Sequence, residues 1–168
     1  FESDLTTIYF YNYNDKWTNV YAYMWGDGNN NNNKGSDTTF GKPMTHLGGK
    51  VWEYSYSSSE NWDHVIFSNG KTGTGNQTGN IPLNKDNKYY KNDWQSSSDI
   101  KHSVTVSNVE NADITVTAGS NKIAEGGLLE VYDGTSLTLN AANITNGYYC
   151  NFIVTPKSGE SKTLPGNS

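Results

Sequence analysis

The chain has 168 residues, a net charge of −5 and only 33% hydrophobic residues, yet 13% of it is aromatic. That length fits one medium domain or two small ones; no run approaches the roughly 20 apolar residues of a membrane-spanning helix, and the aromatic content is too high for a disordered tail. All twelve basic residues are lysines, and an acidic chain without arginine, the usual bidentate reader of phosphates and guanine edges, argues against nucleic acid, nucleotides and anionic lipid as partners.

The first expected strand alternates Ile8 and Phe10 with Tyr9, Tyr11 and Tyr13. The second, Val20 to Trp25, is the most informative stretch. In an extended strand successive side chains point to opposite faces, so Val20, Ala22 and Met24 share one face and Tyr21, Tyr23 and Trp25 the other. The first set suits a core. The second is a stripe of large flat rings with two readings: a platform for something flat and hydrophobic-faced, such as a sugar ring, or a face packed under a neighbouring strand or loop. Asn29 to Asn33 reads as a solvated low-complexity loop tip. Val51 to Tyr56 and His64 to Phe67 are further strands, separated by turn material at Gly26-Asp27-Gly28, Gly48-Gly49 and Asn69-Gly70.

Aromatic content then drops. All five Trp lie at or before Trp94, and Gln95-Ser96-Ser97-Ser98-Asp99 reads as a linker, placing domains at 1–99 and 100–168. Beyond it, Ser103 to Val106, Ile114 to Thr117, Leu128 to Tyr132, Ser136 to Leu139 and Tyr149 to Val154 alternate Val, Ile and Thr at the spacing of a small antiparallel sandwich. Tyr132 and Tyr148 are its expected exposed rings, neither part of a stripe. No stretch has sustained helical periodicity, so the chain reads as all-β throughout.

Catalytic chemistry finds little support. His46, His64 and His102 are scattered, without ligand spacing. His46 reads as turn sequence, whereas His64 opens a strand. The single Cys150 permits neither an intrachain disulfide nor a cysteine metal site, and is expected as a buried thiol. There is no nucleophile elbow and no phosphate loop. A glycosidase needs two carboxylates across a cleft, and Asp27, Asp37, Glu53, Glu60 and Asp63 fall in turns or on alternating faces. The expectation is a binding module with no cofactor or metal. Trp17 is assigned to the core and Trp52 to packing, with Trp62 and Trp94 unassigned.

Residues from about Thr6 to Tyr90 resemble starch-binding carbohydrate-binding modules of family 26, with family 25 as a relative. The resemblance rests on Ile8-Tyr9-Phe10, Trp17 through Trp25, Gly41-Lys42-Pro43-Met44, Val65 through Gly70, and Asn76-Gln77-Thr78-Gly79. It implies a β-sandwich that binds α-1,4-linked glucans (starch, amylopectin, maltooligosaccharides) without catalysis. Carried over by position, Tyr21 and Tyr23 become stacking residues and Trp25 joins them. Gln77 hydrogen-bonds vicinal hydroxyls, and Asn76 and Thr78 support its turn. Lys42 has two readings, a contact to a sugar hydroxyl or an ordinary solvated surface lysine. The family often reads Trp-Pro-Gly before its Lys-x-x-Met stretch. Here Thr39-Phe40-Gly41 stands there, so either Phe40 takes the aromatic place or the platform relies on Trp25.

The second part resembles bacterial Ig-like surface-repeat modules, through Ser103 to Val106, Ile114 to Thr117, Tyr132 to Leu139 and Asn146-Gly147-Tyr148. The resemblance implies a small Ig-like β spacer. Together the two imply a fragment of a longer secreted or cell-surface bacterial protein that captures or degrades starch, with an amylase domain elsewhere in the parent as one option. The competing reading from another class is a structural or adhesion module whose aromatic stripe is buried.

Overall fold

The computed structural model describes residues 4–28, 31–107, 109–156 and 159–166. These residues are all-β, with two short 3-10 turns, and fall into two compact units: residues 1–101 with 132–134, and the remainder.

Two sheets build the first unit. One contains β1 (Leu5–Tyr11), β4 (Thr45–Gly48), β5 (Val51–Ser57), β8 (Tyr89–Tyr90) and β9 (Trp94–Gln95) in the order β4-β5-β1-β8-β9. The other contains β2 (Tyr21–Trp25), β3 (Lys42–Pro43), β6 (His64–Ser68) and β7 (Ile81–Pro82) in the order β3-β2-β6-β7. The long strands follow directly from alternation. On β2, Ala22 and Met24 are fully buried while Tyr21, Tyr23 and Trp25 are half-buried. Ala22 pairs with Phe67 and Met24 with Val65 of β6, so directly opposed residues extend one apolar inward face. On β1 the inward residues are Ile8 and Phe10, both buried. The sheets meet where the Phe10 ring stacks on Phe67, 4.2 Å between centroids at 15°. Trp17, Val20 and Ile81 complete the core, and Trp52, Trp62 and Trp94 pack against it half-buried. The indole N–H of Trp94 donates to Pro82 O at 2.7 Å, fastening the edge of one sheet to the edge of the other.

Several details depart from the sequence reading. The Gln95 to Asp99 stretch is ordered: Gln95 pairs with Tyr89, and a 3-10 turn over Ser97–Ile100 is capped by Ser96. His46 lies in a strand, opposite Trp52, instead of a turn. Asn29 and Asn30 of the asparagine run lie outside the described residues, but Asn33 is buried. Its Oδ1 accepts from Met24 N at 2.6 Å and its Nδ2 donates to Ala22 O at 3.1 Å. One carboxamide thus continues the hydrogen bonding of the β2 edge from Ala22, the last residue that β3 pairs, to Met24, as backbone polar groups there require.

The second unit holds all but the first residue of β10 (Lys101–Thr105) beside all but the last of β13 (Leu128–Tyr132), β12 (Asn121–Ile123), β11 (Asp113–Ala118) and β14 (Thr138–Ala142) in the order β12-β11-β14, and β15 (Asn151–Val154) paired with β16 (Lys162–Pro165). Among its described residues the buried hydrophobics are Val106, Val116, Ala118 and Leu129. Cys150 is half-buried, so the expected core thiol is corrected: its neighbours Tyr149 and Ile153 are 85% and 71% exposed. Tyr148 is exposed as expected, whereas Tyr132, which belongs to the first unit, is half-buried and carries Lys101 Nζ 5.0 Å above its ring.

Candidate functional site

The outward face of β2 carries the aromatic stripe, and its neighbours extend it into a ladder. Tyr23 stacks on Phe40 with centroids 4.5 Å apart at 23°. On its other side Trp25 lies 5.5 Å away at 33°. Trp25 in turn stacks on His64, its register partner across β6, at 5.1 Å and 12°. Four rings, Phe40, Tyr23, Trp25 and His64, therefore run as consecutive neighbours. Tyr21 continues the β2 face at the Phe40 end, where its ring lies over Gly70.

Local sequence explains why Phe40 reaches Tyr23. Gly41 has φ +94°, and a Cβ there would sit 2.8 Å from Ala22 C and Tyr23 N. Only glycine lets the chain press against the β2 backbone in that conformation. Phe40 is held further by its N–H to Gly70 O at 2.8 Å and by its carbonyl, which accepts from Ser68 Oγ at 3.0 Å. At the other end, Trp25 O accepts from Asp63 N at 3.0 Å, and Asp63 Oδ2 accepts from Asp27 N at 2.7 Å. His64 Nδ1 lies 3.5 Å from Asp27 Oδ1.

The remaining candidate residues are placed differently. Tyr21 pairs with Ser68, and Ser68 bridges to Gln77, so Gln77 lies on the row of Tyr21 but two strand spacings away. Its Oε1 accepts from Gly73 N at 3.3 Å and so closes its own loop. Asn76 and Thr78 brace that loop: Asn76 donates to Thr72 O at 3.1 Å, and Thr78 Oγ1 accepts from Phe67 N at 3.0 Å. Lys42 is exposed and pairs with Ala22, on the row of the inward face, while Pro43 shares the row of Tyr21. The ladder does not include Lys42.

Sequence reasoning placed the β2 rings on one face and named Phe40 as a possible replacement aromatic. It missed His64. Alternation alone puts His64, Ile66 and Ser68 on one face of β6, but only the register that sets Trp25 opposite His64 makes the imidazole a rung. Among the described residues, no group of three or more His, Cys, Asp or Glu side chains is arranged to hold a metal ion. No described helix is long and apolar enough to cross a membrane. Compared with models of known protein families and with curated proteins, the chain matches none.

Proposed function

We propose that the first unit is a non-catalytic binding module for starch and other α-1,4-linked glucans, amylopectin and maltooligosaccharides included. We place it in a secreted or surface-attached bacterial protein that captures or degrades starch. One observation carries the reading: the outward ladder Phe40–Tyr23–Trp25–His64, with Tyr21 beside it. The C–H face of a pyranose is apolar and flat, and an aromatic face sheds its water to meet it. Neighbouring rings here are inclined by 23° and 33° on either side of Tyr23. A glucan of this linkage curves, and successive sugars meet inclined rings better than a flat strip. The choice of α-glucan over other glycans comes from the resemblance to family 26 modules. The second unit, which presents no such ladder among its described residues, acts as a spacer in this reading.

Binding here is a matter of surface, and no bond needs to be made or broken. Ring stacking contributes affinity, with about 0.5–1.5 kcal/mol per good aromatic contact beyond area burial. Hydroxyls are met by polar groups at the margins, and in this reading Gln77, on the row of Tyr21 beyond Ser68, is one of them. The deciding experiment is affinity electrophoresis of the whole chain in native gels containing amylopectin, glycogen or a soluble cellulose derivative. Retardation by the two α-glucans and not by the β-glucan supports the proposal; unchanged mobility in all three removes it.

A further inference from the structure

A second concave surface lies away from the ladder, between the β4–β5 end of the larger sheet and the loop from Asn12 to Asn19. It is a shallow, open cleft of about 650 Å³, a volume within the ~300–1,000 Å³ usual for sites that take small ligands. One wall is aromatic. His46 and Trp52 are register partners on β4 and β5, with rings 4.7 Å apart at 30°. The imidazole is pinned by its Nε2–H, which donates to Gly49 O at 3.0 Å. Trp52 packs partly on the core, so neither ring needs a ligand to be ordered.

The other wall is polar. Asp15, Thr18 and Asn19 line it together with Lys50, whose Nζ meets Asp15 Oδ1 at 2.9 Å. The loop carrying these groups is fixed from beneath. The indole N–H of Trp17 donates to Gly75 O at 2.9 Å, and Asn12 Nδ2 donates to Trp17 O at 3.0 Å. A pre-ordered aromatic wall facing a carboxylate, an ammonium, a hydroxyl and an amide is the combination that a polyhydroxylated ring requires. The opposed charges of Asp15 and Lys50 balance, which selects against a charged ligand.

We propose that this cleft is a second saccharide site, which takes one or two pyranose units of a neutral glycan on the Trp52–His46 wall. It operates independently of the β2 ladder. A pyranose ring stacks on Trp52, and its hydroxyls bridge to Asp15, Asn19 and Lys50. Two separate sites on one module let a single polysaccharide chain, or two neighbouring chains, be held at two points. Joint engagement raises avidity without any new contact at either site.

The test follows the indole N–H signals of the whole ¹⁵N-labelled chain, each assigned by single Trp→Phe replacement, during titration with millimolar maltoheptaose, cellohexaose and xylohexaose. The Trp52 signal should move with at least one of these sugars. His46→Ala and Asp15→Ala, both at exposed side chains, should weaken the Trp52 response by roughly tenfold while leaving that of Trp25 intact. Tyr23→Ala should do the reverse. A Trp52 signal that none of the three sugars moves, or one whose response disappears with Tyr23→Ala, overturns the second site. A silent Trp25 beside a responsive Trp52 would refute the ladder alone.

Discussion

Tyr23→Ala separates a binding platform from a buried stripe, because the two readings assign its cost to different measurements. Tyr23 is the middle rung: removal deletes the stack on Phe40 at 4.5 Å and the contact with Trp25 at 5.5 Å. Each aromatic pair contributes about 0.5–1.5 kcal/mol beyond area burial, and Tyr23 is only half-buried, so the expected loss of folding stability is about 1–3 kcal/mol. Phe10→Ala, at a ring 2% exposed and stacked across the sandwich on Phe67, should cost more, about 3–5 kcal/mol. In binding the order inverts. Tyr23→Ala removes one sugar stack and loosens two more rings, which corresponds to tenfold or more in Kd at about 1.4 kcal/mol per tenfold. Urea unfolding gives the first quantity and calorimetric titration with maltoheptaose the second. If Tyr23→Ala destabilises the fold as much as Phe10→Ala while its affinity for maltoheptaose stays at the wild-type value, the rings are core and the reasoning fails.

Gly41→Ala should displace Phe40 from Tyr23, because the new Cβ meets β2 backbone at 2.8 Å and the residue must hold φ +94°; the expected cost is about 1–3 kcal/mol, with weakened retardation in amylopectin gels. Asn33→Ala leaves Met24 N and Ala22 O without their side-chain partner, so a loss of about 1–3 kcal/mol is expected in urea unfolding; a stability unchanged from wild type would contradict the structural role of Asn33. Burial, followed by the hydrogen bond to Asp133, raises the pKa of Tyr89 above the ordinary 10.0 of a phenol. Its contribution to stability is therefore complete below pH 10 and is lost as pH rises beyond it. Absorbance at 295 nm should show Tyr89 ionising together with unfolding, and a Tyr89→Phe variant that still releases the same number of late-titrating phenols would contradict this.

The parts of the fold legible in the sequence are those where alternation runs long enough to be read. On β1, β2, β5 and β6 the pattern identifies the strand, and on β1 and β2 also the inward residues, because a one-residue slip would expose the core. The two-residue strands β3, β7, β8 and β9 are too short for any period to appear. β3, β7 and β8 are strands because a longer neighbour offers them unpaired backbone groups, and β9 follows by pairing with β8; Lys42 and Pro43, for example, exist as β3 only opposite Ala22 and Tyr21. Asn33 was illegible for a different reason. Within Asn29 to Asn33 the side chains are chemically identical, and what singles one out is its position beside the edge of β2. Likewise, Cys150 between Tyr149 and Phe152 has the composition of a buried segment, but the described residues of the second unit include few buried apolar side chains to cover it.

The half-burial of the β2 rings is the feature on which the two readings of the stripe turn. A fully exposed tyrosine would have to be immobilised by its ligand, at about 0.5–1.5 kcal/mol for each such side chain. A fully buried one would offer the ligand nothing. Tyr21 over Gly70, Tyr23 between Phe40 and Trp25, and Trp25 against His64 lie between these limits. Each ring is ordered by its neighbour before any sugar arrives. The devices that produce this order, Gly41 pressed on β2, Ser68 holding the Phe40 carbonyl and Asp63 holding Trp25, are not needed for the core, which is closed on the opposite face by Ala22, Met24, Val65 and Phe67. A module that only had to fold could have ended β2 in polar residues on its outer side. Ordering a second aromatic layer there makes sense when rigidity lowers the entropic cost of contact with a ligand, which is why the ladder, more than aromatic content as such, supports the glucan reading.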